Sequence, residues 1–118
     1  MRLVLLGGLF YASSQSFGSD GMGAAIERLG INKALISAAG VDCERGVSCF
    51  HFHEVGPKQA AIATAMQRLL VVDASKFGVV RPAYFASLED FDVIVTDDER
   101  APGLLERHPL PALNVTLA

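Results

Sequence analysis

The chain has 118 residues, 51% hydrophobic and 19% charged, with a formal net charge of −3 at pH 7. That much apolar side chain offsets the entropy of ordering, which excludes a disordered chain, and the length fits one small domain. The 10 Lys and Arg are scattered rather than clustered, so the chain offers no cationic surface for nucleic acid, and no apolar run approaches the roughly 20 residues of a membrane-spanning helix.

Met1-Arg2 followed by the apolar residues 3–12 has the outline of a short secretory leader. The run is read instead as a buried strand over residues 2–6, stopped by Gly7-Gly8. Residues 10–17 form a second extended piece. Ser19 or Asp20 caps a helix that runs to Leu29, with Ile26 and Leu29 on one face and Gly30 as its stop. Residues 33–37 are a short apolar strand leading into a loop over 38–42. Residues 49–53 are extended, and Glu54 starts the clearest helix, reaching about Arg68. Its apolar stripe is Ile62, Met66 and Leu69 or Leu70, and Glu54 and Lys58 sit one turn apart.

Residues 69–73 read as a strand buried on both faces, 83–86 as a short strand and 87–90 as a single helical turn. A further buried strand over 92–96, a helix at about 101–106 and a last strand over 113–117 complete the chain. Strand–helix–strand units with unbroken apolar strands define the fold class: α/β, a mostly parallel sheet with flanking helices. No linker or repeat divides residues 1–118, which are read as a single domain. Ligands sit at the carboxyl ends of such strands. Here those ends are Gly7-Gly8, residues 38–42, residues 73–78 and Asp97-Asp98. Cys43 and Cys49 make neither a disulfide framework nor a CxxC zinc motif, so the protein is expected to be reduced and cytoplasmic.

Asp73-Ala74-Ser75-Lys76-Phe77-Gly78 brings a carboxylate, a hydroxyl and an ammonium off one buried strand within four residues. A lysine there, beside glycine-rich loops with free amides, is placed to hold a phosphate. The plain alternative is a solvated lysine and an aspartate that caps a turn. This segment resembles the D-x-S-K-F-G signature of the effector domain of DeoR-type sugar-responsive repressors, the glycerol-phosphate repressor among them. Leu5-Leu6-Gly7-Gly8 resembles that family's strand and Gly-Gly turn, and residues 33–42 its next strand and loop. Glu54 followed by Lys58 resembles the glutamate and lysine opening the following helix, and residues 92–98 its late apolar strand ending in Thr-Asp-Asp.

The resemblance implies the fold of sugar-phosphate isomerases, glucosamine-phosphate deaminase and CoA transferases. It also implies a lysine and strand-end glycines around a ligand phosphate. The implied ligand residues are Lys76, Gly7, Gly8 and Gly40 for phosphate, Asp42 and Glu54 for sugar hydroxyls, and Asp73 and Ser75 beside Lys76. The deaminase-like enzymes carry Asp-Gly-His where this chain has Gly40-Val41-Asp42, and no histidine follows Asp42. That departure favours a sensor over an enzyme. Family repressors also begin with a winged helix-turn-helix and a Gly-Thr-Thr loop that this chain lacks, so it resembles the later part of an effector domain.

The expected function is a sugar-phosphate-binding sensor, with no catalytic residues, cofactor or metal. A phosphorylated sugar or polyol is the expected effector, a homo-oligomer the expected assembly, and DNA a partner only through the missing N-terminal domain. A small isomerase with Asp42 or Glu54 as general base and Lys76 as anchor is the alternative. A third reading places Cys49, His51 and His53 on one strand face as three zinc ligands. Its plain counterpart has Phe50 and Phe52 facing the core. Gly18 to Gly23 at a helix start and Asp97-Asp98-Glu99 are read as a helix entrance and a solvated turn.

Overall fold

The structure is a computed structural model and describes residues 9–11, 16–18, 21–97 and 114–117. The strand expected over 2–6, the Gly7-Gly8 turn and the helix expected at about 101–106 lie outside the described residues. Along β3 (Lys33–Ser37) exposed and buried residues alternate, so Ala34 and Ile36 enter the core while Leu35 stays 71% exposed. β6 (Gln67–Val71) pairs parallel to β3 with Leu35 opposite Leu69, β8 (Val93–Thr96) pairs parallel to β6, and β9 (Asn114–Leu117) parallel to β8. The central sheet therefore has the order β3-β6-β8-β9, all parallel as expected.

The run at 69–73 was expected to be buried on both faces. In the structure Leu70 is fully buried but Val71 is 39% exposed, because among the described residues helix and second sheet cover one face only. Ile36, Leu70 and Ile94 meet on the covered face with Val41, Val47, Phe85, Leu88 and Phe91. Burying each large aliphatic chain there contributes about 1.5–3 kcal/mol.

The second sheet was not expected as such. β4 (Gly40–Asp42) and β5 (Gly46–Cys49) form an antiparallel hairpin, and β7 (Ala83–Ala86) joins antiparallel to β5, with an irregularity at Val47/Ser48. The Asp42 carboxylate accepts from the amides of Glu44 and Arg45 at 3.0 and 2.7 Å, which closes the turn. Gly46 follows in the left-handed region, with φ +82°. The early extended piece is also a hairpin: β1 (Leu9–Tyr11) pairs antiparallel with β2 (Ser16–Gly18).

α1 (Met22–Glu27) packs on α2 (Val55–Thr64), and small residues let them approach: a Cβ on Gly23 would lie 3.7 Å from the Gly56 carbonyl oxygen. The α2 helix stops earlier than its apolar period implies. Ala65 is extended, and the amides of Met66 and Gln67 donate to Ile31 and Asn32, drawing the chain into the sheet. Met66, expected in the helical stripe, is 79% exposed as a result. Short 3-10 turns sit at Phe52–Glu54, Ala74–Lys76 and Leu88–Asp90, the last where a single helical turn was expected.

Candidate functional site

The Asp73 to Gly78 segment is built by its own side chains. Asp73 leaves β6 extended, and its carboxylate accepts from the Ser75 amide and hydroxyl, capping the 3-10 turn Ala74–Lys76. The same hydrogen bonds from Ser75, helped by the charge of Lys76, hold the Asp73 carboxyl below its ordinary range. Lys76 Nζ lies 3.7 Å from the Asp73 carboxylate and 3.3 Å from Ser75 Oγ. From the end of β8, Asp97 accepts the Ala74 amide at 2.9 Å, so this residue does more than form a solvated turn. Gly78, with φ +76°, bends the chain back so that its amide donates to Val41 on β4. The glycine of the motif has a conformational reason, since an L side chain is strained at that φ.

Lys76 opens onto a cleft of about 250 Å³ at the carboxyl end of β3. Ser37, Ala38 and Ala39 supply one wall, Cys49 to His51 another, and Glu54 and Lys58 of the helical entry close it. Lys58 Nζ donates to the Ser37 carbonyl at 2.7 Å and lies 4.9 Å from the centre of the Phe85 ring. Arg81 braces the far wall: its Nε donates to the Ala39 carbonyl and its guanidinium stacks over Phe50, 4.6 Å from the ring centre. Cys49 is buried, which pushes its thiol up, and Sγ donates to the His51 carbonyl.

Of the residues expected from sequence, Lys76 and Glu54 line this cleft, and Asp73 and Ser75 hold the turn that carries Lys76. Gly40 and Asp42 are nearby in sequence to the Ala38-Ala39 wall but do not line the cleft. Asp42 closes the β4–β5 turn, and Gly40 faces the Val79 carbonyl and Ser48 Oγ so closely that a Cβ would not fit. Gly7 and Gly8 lie outside the described residues. Lys58 and Ser37 were not expected at the site. The available signal for Lys58 was its place one turn after Glu54, which puts both on one helix face.

The three-ligand zinc reading requires residues 49–53 to be one strand, and they are not. β5 ends at Cys49 and a 3-10 turn begins at Phe52. Cys49 is buried while His51 is exposed and stacks on His53, ring centres 5.3 Å apart. Phe50 and Phe52, expected in the core, are 53% and 72% exposed. Among the described residues no three His, Cys, Asp or Glu side chains converge to hold a metal ion.

A parallel sheet flanked by helices, with Lys76 on a capped turn at a strand end, is an α/β fold of the sugar-phosphate isomerase type. Residues 1–98 match the family described as the DeoR C terminal sensor domain, and the chain belongs to that family. Among its relatives, the deoxyribose operon repressor of Escherichia coli is 40% identical over 96 residues, 81% of this chain and 38% of that protein. The transcriptional repressor AccR of Agrobacterium fabrum is 33% identical over 97 residues, covering 78% of this chain and 36% of the relative. The glycerol-3-phosphate regulon repressor of Escherichia coli is 27% identical over 96 residues, 81% of this chain and 38% of that protein. The chain thus spans under two fifths of the length of these relatives, all of which are named as repressors. Among the described residues no helix is long and apolar enough to cross a membrane.

Proposed function

We propose that this chain is the effector-sensing part of a DeoR-type repressor and that its ligand is a phosphorylated sugar or polyol. The observation that carries the reading is Lys76, set by a capped turn at the mouth of a cleft it shares with Glu54. Lys76 binds the phosphate, aided by backbone amides at Gly7 and Gly8, while Gly40 acts by letting β4 pack closely against Val79 and Ser48. Glu54 accepts hydrogen bonds from sugar hydroxyls, Asp73 and Ser75 position Lys76, and Asp42 acts by holding the β4–β5 turn. Ligand binding alters DNA binding by another domain of the full repressor. It can do so only by preferring one arrangement of the protein over another. The half-open sheet face with Leu35 and Val71 exposed supports self-association of the chain. For the alternative, an isomerase with Asp42 or Glu54 as base, Asp42 is not favoured because it closes the β4–β5 turn and does not line the cleft. Glu54 does line it, and turnover of a sugar phosphate lost in Glu54→Gln would favour that reading.

Thermal unfolding against a panel of phosphorylated and free sugars tests the reading. The panel takes deoxyribose from the name of the deoxyribose operon repressor, as the free sugar and as its 5-phosphate, and glycerol 3-phosphate from that of the glycerol-3-phosphate regulon repressor. A ligand at 100 times its Kd adds about 2.7 kcal/mol of stability. The expected result is a rise in Tm with a phosphorylated compound, absent with its free sugar and lost in Lys76→Ala. A shift of equal size with and without the phosphate refutes the phosphate reading.

A further inference from the structure

Charge balance in the cleft, taken on the reading that it binds a phosphate, leads to a second residue. A phosphate monoester carries about −1.5 to −2 at neutral pH. Lys76 does not match that charge alone, since it carries a single positive charge and has the Asp73 carboxylate 3.7 Å from its Nζ. The other ammonium lining the cleft is Lys58. It forms no ion pair among the described residues. Its positioning contacts are a neutral carbonyl, that of Ser37, and the face of Phe85. Both orient an ammonium without cancelling its charge, and an ammonium has three donors, of which Ser37 takes one.

We propose that Lys58 is a second phosphate-binding residue. It supplies the cleft's second ammonium, one not held in an ion pair among the described residues, and, with Lys76, seats a phosphate dianion against the Ala38-Ala39 wall. Glu54, one turn before Lys58 and of the same sign as the ligand, faces the hydroxyl-bearing end. β3 and β6 are neighbours in register, Ser37 opposite Val71, so the carbonyl that holds Lys58 and the turn that holds Lys76 lie at the same end of adjacent strands.

Isothermal titration of the 118-residue chain with 2-deoxyribose 5-phosphate, glycerol 3-phosphate and inorganic phosphate tests the inference. Lys58→Met keeps the apolar stem against Phe85 and removes the charge. It is expected to weaken phosphate binding about 10- to 100-fold, in line with loss of one charge-assisted hydrogen bond. It also flattens the dependence of affinity on salt, and Lys58→Arg retains most of the binding. A purely structural role for Lys58 would lower the Tm of the free chain and leave the salt dependence unchanged. Wild-type binding of a phosphate with Lys58→Met within twofold of it overturns this inference alone. Failure of wild type to bind any of the three overturns the phosphate reading and the inference together. Should Lys58→Met not fold, NMR of the reductively dimethylated wild-type chain carries the test, with resonances assigned through Lys58→Arg and Lys76→Arg. Saturating 2-deoxyribose 5-phosphate is expected to shift both signals, and a shift confined to Lys76 overturns the inference.

Discussion

Gly40 and Gly78 are both glycines at the site, and the structure assigns them different physical reasons. Replacing Gly40 by alanine drives a Cβ into the Val79 carbonyl oxygen and sets it 2.9 Å from Ser48 Oγ. Neither neighbour can give way cheaply. Val79 offers backbone, and the buried Ser48 hydroxyl accepts the Arg81 amide at 2.9 Å, while Arg81 also ties down the Ala39 carbonyl. Overpacking of this kind costs about 3 kcal/mol. At Gly78 nothing lies within 4 Å of the added Cβ, and only the φ of +76° resists substitution. A left-handed L residue costs about 1–2 kcal/mol. Both substitutions regain about 0.4–1 kcal/mol by stiffening the unfolded chain. The net expectation is about 2–3 kcal/mol for Gly40→Ala and about 0–1.6 kcal/mol for Gly78→Ala. In a domain of this size each kcal/mol moves Tm by roughly 4–8 °C. Urea unfolding of both variants resolves the difference. Asparagine, which tolerates the left-handed region, is expected to recover part of the loss at position 78 and to worsen it at position 40. A Gly40→Ala chain as stable as Gly78→Ala, or rescue of Gly40 by asparagine, would refute the steric account.

Leu70 is fully buried, with Ile36 and Ile94 opposite it on the neighbouring strands. Leu70→Ala is expected to cost about 2–5 kcal/mol by urea titration, against less than about 0.5 kcal/mol for Leu35→Ala on the open face. Equal losses would mean that the open face is covered. Asp73 titrates below its ordinary value of 3.8 in the folded chain, chiefly through the Ser75 hydroxyl. A lowered folded pKa contributes stability that is present above the unfolded pKa and lost as pH falls through the folded one. The stability gap between wild type and Asp73→Asn should therefore hold above the ordinary carboxylate range and shrink as pH falls below 3.8. A gap that stays constant into strong acid would place its origin in something other than ionisation.

The parallel strands were legible because their apolar runs are continuous and bounded by polar or glycine residues. Among them 33–37 has the expected bounds and 92–96 is within a residue, while the strand expected over 69–73 lies two residues earlier, at Gln67–Val71. The strand at 83–86, also with the expected bounds, belongs to the antiparallel sheet. The Asp73 to Gly78 turn was legible because its Asp, Ser and Gly each have a local job. The β4–β5 hairpin was not. Its strands are three and four residues long and each contains glycine, and its third partner, β7, lies 34 residues beyond the end of β5. Such pairing is a tertiary fact without a local signal. The end of α2 was misplaced for a related reason. The period of apolar residues continues through Met66, but backbone bonds to Ile31 and Asn32 convert the next turn into strand. Residues 49–53 alternate as a strand should, yet Phe50 is held outside by the Arg81 guanidinium over its ring. Side-chain alternation specifies a strand only when one face has a core to enter.

On the proposed reading, the same long-range contacts suit Lys76 to reporting occupancy of the cleft. Its turn is fastened at three points on different elements: to β6 through Asp73, to the end of β8 through Asp97, and to β4 through Gly78 and the Val41 carbonyl. Lys58 is fastened to β3 by the Ser37 carbonyl and to β7 by the Phe85 ring. A ligand held by both lysines therefore links five strands from two sheets, whereas one held by Lys76 alone links three. Linking elements matters because a sensor must change the relative stability of arrangements, and a ligand that touches one rigid element stabilises every arrangement of it equally. On that reading, position at the seam between the parallel sheet and the hairpin sheet, more than affinity, is what would fit the cleft for that role.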